Sequence, residues 1–256
     1  LNYKSTPFTT SPGMTAYGAL AVDADDNFYA ATTSNEIWQI KPDGTKGRVW
    51  SGFGEVRGLI KAQDAAGGVL AATASGLYRL NADGSNSKLG SDGRPWSLAY
   101  SPDGVLYATG LDNAVYRFGP TWQLEVFVSG GLLSRTTGLA FDSDGSLLVG
   151  SYSSRAIVRV QSDKTMRNVV GQINYYPLQI LAYQGNWLVT TERGLYRYNK
   201  DWEGERLLFD RVDNLAVRQD GRVAMSVNSQ TNLRWLDSEP AGVAASLSSY
   251  EVAINK

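Results

Sequence analysis

Chemistry in this chain falls to carboxylates, guanidinium groups, hydroxyls, amides and indoles, because the sequence holds no His and no Cys. The commonest general base and the commonest transition-metal ligand are thus missing, as are thiolate sites and any Ser-His-Asp arrangement. One position carries chemistry-bearing types in recurring copies. Two residues before a repeated apolar position, usually Leu, stand Gly18, Arg57, Trp96, Thr137, Gln179 and Asp213. One Arg, one Asp, one aromatic and two neutral hydrogen-bonders suit a small polar ligand or a peptide tip better than acid–base chemistry without a metal. Nearby stretches add Arg94, Arg135, Tyr175, Tyr176 and Arg211 on one side. On the other they add Asn35, Glu36, Asp112, Asn113, Tyr152, Arg155, Glu192, Arg193, Asn228 and Gln230. Tyr, Trp and Arg anchor interfaces, so Trp96, Arg94, Arg135, Tyr152, Tyr175 and Tyr176 are the expected partner-binding face.

The elements that position these residues are copies of one unit. Residues 18–31 read GALAVDADDNFYAA, 96–109 WSLAYSPDGVLYAT, 137–150 TGLAFDSDGSLLVG and 213–226 DNLAVRQDGRVAMS, with weaker copies near Gly58-Leu59 and Ile180-Leu181. Each is a strand, a tight turn and a second strand, and Asp-Gly between apolar runs is a strong hairpin signal. The turns fall at Asp26, Gly67, Gly104, Gly145, Gly185 and Gly221, spaced by 41, 37, 41, 40 and 36 residues. A third strand follows in each unit: IWQI at 37–40, LYRL at 77–80, VYRF at 115–118, IVRV at 157–160, LYRY at 195–198 and LRWL at 233–236. A fourth, outer strand comes next, as around Val49, Val126, Val169 and Leu207. A period near 40 residues with four strands per unit predicts an all-β, six-bladed propeller of four-stranded antiparallel blades. Residues 1–256 then form one domain, with the ring closed by joining the terminal segments. Residues 2–8 are favoured as the closing strand over 250–254. Trp38, Tyr78, Tyr116, Tyr196 and Trp235 are expected to pack between blades, and Trp187 to fill a core position. Asp103, Asp144 and Asp220 are read as turn carboxylates, and Asp142 as a bonder of turn amides. Residues 241–248 are expected as a surface loop.

The repeated GLAVD-x-DG-x-LYVA pattern resembles the NHL repeat. It is also similar to the senescence-marker-protein/gluconolactonase and strictosidine-synthase-like propellers, over about residues 17–237. The resemblance implies the fold and, for gluconolactonase-like enzymes, a divalent cation on the central axis. In those enzymes one ligand Asn sits where this chain has Trp96, and a ligand Asp where it has Thr137. An early ligand Glu would fall at Tyr17-Gly18. An indole cannot ligate a hard cation, and one hydroxyl replaces little of a carboxylate. Only Asp213 and Asn214 remain ligand-like, so the implied cation site is read as lost, with Ca²⁺ or another divalent cation kept as the alternative.

The charge is balanced, 24 basic against 25 acidic residues, which gives no case for nucleic acid. No apolar run is long enough to span a membrane as a helix. The chain begins at Leu1 rather than Met, which reads as a trimmed or mature form and favours an extracytoplasmic location. The expected function is a non-catalytic binding propeller, recognising a protein or a small polar ligand on the loop face around the channel. The alternative is a divalent-metal-dependent lactonase or esterase with an altered site, in which Glu36, Asp112 or Glu192 would join Asp213 and Asn214.

Overall fold

Apolar residues alternate with small or polar ones along each inner strand, and the strand that follows is apolar throughout. The second strands Phe28–Thr32, Val69–Thr73, Leu147–Ser151 and Val223–Val227 are buried at every residue. Such a strand needs cover on both faces. The computed structural model, which describes residues 2–7, 17–228 and 232–239, supplies it by arranging six four-stranded antiparallel sheets around an axis. The inner strands are Tyr17–Val22, Val56–Lys61, Leu98–Tyr100, Thr136–Phe141, Pro177–Tyr183 and Val212–Val217, which open blades one to six in that order. The sequence-predicted propeller is the observed fold.

The core lies between the blades. Six apolar clusters each draw on two neighbouring blades, as where Leu70 and Leu77 of blade two meet Leu98 and Leu106 of blade three. Burying one such Leu side chain stabilises by about 1.5–3 kcal/mol. Trp38 and Trp235 pack in the cluster shared by blades six and one, Tyr78 between one and two, and Tyr196 and Trp187 between four and five.

The ring closes on the N-terminal segment. Strand Asn2–Pro7 pairs antiparallel with Leu233–Glu239, from Asn2 opposite Glu239 to Pro7 opposite Arg234, so blade six mixes the chain's two ends. Arg234 donates to the Ser5 hydroxyl at 2.9 Å and to its carbonyl at 2.8 Å. The rival closing stretch, 250–254, lies outside the described residues, as do Gln230 and residues 241–248.

The hairpin turns follow the Asp-Gly signal. Gly104 sits at φ 82°, where a side chain is strained, and its N–H closes the turn on the Ser101 carbonyl. Asp103, Asp144 and Asp220 serve these turns, the last two by accepting backbone N–H bonds from Ser146 and Arg222. Asp142 accepts the Ser143 N–H and also pairs with the buried Arg159 of the third strand.

Five of the six inner strands carry one extra residue against their partner, between Tyr17 and Leu20, Val56 and Gly58, Thr136 and Leu139, Pro177 and Gln179, and Val212 and Asn214. A bulge bends the strand and re-aims the extra side chain. Here the bulges sit where the strands converge on the axis, and they set what faces the channel.

A candidate ligand site at the axial channel

The bulges give an alignment finer than the repeat. Val56, Thr136, Pro177 and Val212 hold one position, and Arg57, Thr137, Leu178 and Asp213 the next. Gly58, Gly138, Gln179 and Asn214 follow, then Leu59, Leu139, Ile180 and Leu215. Blade five is therefore one residue out of the sequence-predicted register. Leu178, not Gln179, is the counterpart of Asp213. The cause is the pair Ile180-Leu181. Ile180 is buried between blades four and five, whereas Leu181 packs toward blade six.

A cavity of about 590 Å³ opens on the axis. Of the candidate residues, Arg57, Trp96, Arg135, Thr137, Tyr152, Gln179 and Asp213 line it, together with Asn214, Arg211, Asn35 and Asn228. Glu55 also lines it and was not singled out from the sequence. It lies just before the strand that carries Arg57, and Arg57 Nε donates to Glu55 at 3.0 Å. Arg57 also donates to the Gly93 carbonyl and lies 5.4 Å from the centre of the Trp96 ring. Trp96 thus has its indole against a guanidinium that is fixed from two sides, and its backbone N–H donates to the Thr109 carbonyl at 2.6 Å.

A second pair of opposite charges lines the cavity. Arg211 Nε donates to Asp213 at 2.7 Å. Burial raises the Asp213 carboxyl above its ordinary range, and the Arg211 charge and hydrogen bond pull it partway back.

Two lining residues have their polar atoms committed to the scaffold. The Gln179 amide mimics a strand: its carbonyl accepts the Leu215 N–H at 2.6 Å and its NH₂ donates to the Leu215 carbonyl at 3.2 Å, tying blade five to six. Thr137 is buried, and its hydroxyl donates to the Pro177 carbonyl at 2.8 Å, tying blade four to five. Sequence reasoning took both as hydrogen-bonders for a ligand; the structure turns them toward neighbouring blades.

Three candidates lie off the cavity. Tyr175 is buried, stacked on Tyr196 with ring centres 4.1 Å apart, and its hydroxyl meets that of Tyr198. It belongs to the blade core, which corrects its expected place on the binding face. Tyr176, the next residue of the loop that leads into Pro177–Tyr183, instead stacks its ring at 4.3 Å on Tyr152. Arg94 is clamped by Asp92 and lies over Tyr116 at 4.9 Å. Tyr116 in turn donates to Asp112, so it joins this loop network rather than only filling the space between blades.

The donors do not suit a hard cation. Among the described residues no three His, Cys, Asp or Glu side chains gather closely enough to hold a metal ion. Of the conjectured ligands, Asp213 and Asn214 line the cavity, but Glu36 accepts from Arg48 and Trp38, Asp112 from Ala114 N–H and Tyr116, and Glu192 from Tyr176 N–H. The cavity's two carboxylates, Glu55 and Asp213, each already face an Arg, and Trp96 and Thr137 stand at the positions where the resemblance implies ligands.

No family model and no curated protein sequence matches the chain. Solved structures do. A provisional gluconolactonase superposes with a TM-score of 0.75 at 17% identity, covering 92% of this chain and 92% of that one. A gluconolactonase from Xanthomonas campestris gives 0.73 at 18% identity over 87% and 86%. Virginiamycin B lyase from Staphylococcus aureus gives 0.69 at 14% identity over 93% and 86%. The fold is the six-bladed propeller of gluconolactonase-like structures.

Proposed function

We propose that the axial cavity is the functional site, and that it takes lactones and the hydroxy acids to which they open. The observation that carries this reading is Asp213, a carboxylate whose proton affinity is raised by burial, set beside Arg211 in a cavity walled by Trp96. The likeness to two gluconolactonases supports it over recognition of a protein partner.

The chemistry asked of these residues is acyl transfer to water. Asp213 removes a proton from the attacking water while the new C–O bond forms. A guanidinium of the cavity stabilises the oxyanion. The ring C–O bond then breaks, and the proton passes from Asp213 to the departing alkoxide. A positioned base contributes about 10²- to 10⁴-fold, and fixed donors at the oxyanion a comparable factor. No step in this scheme needs a resident cation.

The test is hydrolysis of a panel of γ- and δ-lactones, followed by a pH indicator, in EDTA and in millimolar Ca²⁺, Mg²⁺, Mn²⁺ and Zn²⁺. The expected result is saturable turnover indifferent to EDTA and reduced at least about a hundredfold in Asp213→Asn. Its rate should rise with pH through the raised Asp213 value, because the base acts unprotonated. Turnover that requires one cation would restore the metal-dependent form of the reading. No acceleration over buffer for any lactone would leave a non-catalytic binding module, which the Arg-paired state of both cavity carboxylates favours.

A further inference from the structure

Of the three guanidinium groups that line the axial cavity, two face carboxylates and one does not. Arg57 pairs with Glu55 and Arg211 with Asp213. Arg135 is exposed at the mouth and has no carboxylate within ion-pair distance among the described residues. The lining therefore carries one guanidinium in excess.

That guanidinium is held in place without neutralisation. Its carbon lies 4.8 Å from the centre of the Tyr152 ring. Tyr152 stacks on Tyr176 with centres 4.3 Å apart and planes 13° from parallel. Arg155 closes the far side, 4.8 Å from the Tyr176 ring, and donates to the Tyr176 hydroxyl at 2.9 Å. The result is a four-layer ladder, Arg–Tyr–Tyr–Arg, that bridges blades four and five. Both arginines adopt left-handed backbone, φ 52° at Arg135 and 50° at Arg155, which side-chain-bearing residues rarely take. The Arg135 carbonyl accepts the Tyr152 N–H at 3.1 Å and the Arg155 carbonyl accepts the Ile173 N–H at 3.1 Å, which hold those conformations. Stacking fixes a guanidinium plane while leaving its N–H edge open, and that edge matches a carboxylate in two parallel hydrogen bonds.

We propose that Arg135 is the anion anchor of the cavity, and that the ligand carries a carboxylate which Arg135 grips edge-on at the mouth. Tyr152, Tyr176 and Arg155 are positioning residues that present it. This rests on the axial cavity being the ligand site but not on turnover.

The experiment is titration calorimetry with two probe pairs that differ in a carboxylate: sodium gluconate against D-glucitol, and sodium glucuronate against D-glucose. A charge-assisted pair at a preorganised guanidinium should favour the carboxylate member by roughly tenfold to a hundredfold, and less at high salt. Arg135→Asn keeps a residue that tolerates left-handed backbone and removes the charge. It should abolish the preference and leave glucitol and glucose unchanged. Tyr152→Leu should lower the carboxylate affinity by a smaller factor, and Arg48→Gln, an exposed outer-strand change, by none. Equal affinity within each pair, no saturation by either carboxylate, or a preference that survives Arg135→Asn would overturn the proposal. A protein that opens no lactone yet holds gluconate through Arg135 would sink the catalytic reading alone. Lactone turnover without carboxylate preference would sink this one alone.

Discussion

Thr137 separates a scaffold role from a ligand role at one atom. In blades three, five and six a hydroxyl of the second strand reaches the neighbouring blade: Thr109 donates to the Thr137 carbonyl, Thr190 to that of Asp213 at 3.4 Å, and Ser226 to that of Gly18 at 2.9 Å. Blade four has Gly150 at that position. A Cβ there would meet Thr137 Oγ1 at 2.5 Å, because the Thr137 hydroxyl occupies the space and makes the bond to Pro177 instead. Thr137→Val keeps the shape and leaves the carbonyl of buried Pro177 without its donor. An unsatisfied buried acceptor costs about 1–3 kcal/mol. At about 2–4 °C per kcal/mol for a chain of this size, the midpoint should fall by roughly 2–12 °C. The assay is a thermal melt by circular dichroism, alongside affinity for a cavity ligand. A double-mutant cycle sharpens it. Gly150→Ser alone should destabilise by collision, Thr137→Ala by loss of the bond, and the pair should recover part of both by moving the hydroxyl to the second strand. Contacting residues of this kind couple by about 0.5–3 kcal/mol. An unchanged midpoint for Thr137→Val, or strictly additive effects in the cycle, would refute the latch. A large affinity loss with no change in midpoint would return Thr137 to the ligand.

Gly58 should tolerate no side chain, although its backbone conformation is ordinary. A Cβ would stand 2.3 Å from the Trp96 carbonyl oxygen, so Gly58→Ala should lower the melting midpoint by several degrees and perturb Trp96 fluorescence, at an overpacking cost of about 1–3 kcal/mol. Gly18→Ala, whose Cβ would come no nearer than 3.7 Å to the Ala31 carbonyl, should be close to neutral. Asp213 should make stability depend on pH. Its folded-state carboxyl titrates above the ordinary value of 3.8, so its favourable contribution is complete below that pH and is lost as pH rises through the raised value. Asp213→Asn should therefore melt higher than the native chain near neutral pH, with the gap closing in acid; a gap independent of pH would show that burial of the charge is not its source.

The blades were legible because their signals are local. Asp-Gly turns, a period near 40 residues and strands with two apolar faces each follow from a few adjacent residues, and they agree with one another around the whole ring. Closure was legible for a different reason. Residues 2–8 read as an outer strand with no blade of its own, and a ring with a missing fourth strand has one place for it, where Asn2–Pro7 pairs. Register at the axis was not legible. A bulge consumes one residue without changing the apolar pattern around it, so Ile180-Leu181 offered two equally apolar anchors. Only the pairing of Ile180 with Val189 and of Gln179 with Thr190 decides between them.

The same limit governs the site. Residue type says that Thr137, Gln179, Arg135 and Tyr175 can hydrogen-bond or stack, but not with what. Around a six-fold axis each inner strand is within hydrogen-bond reach of the next, so a polar side chain there meets a neighbouring blade before it meets solvent. Thr137 and Gln179 are captured in this way, and each leaves the channel one fewer free donor. Arg135 escapes capture because it lies just before the bulge, on left-handed backbone that lifts it to the mouth, and because its flat neighbour is an aromatic ring rather than a carbonyl. What the cavity offers a ligand is therefore set less by which polar residues the repeat places near the axis than by which of them the neighbouring blade leaves unclaimed.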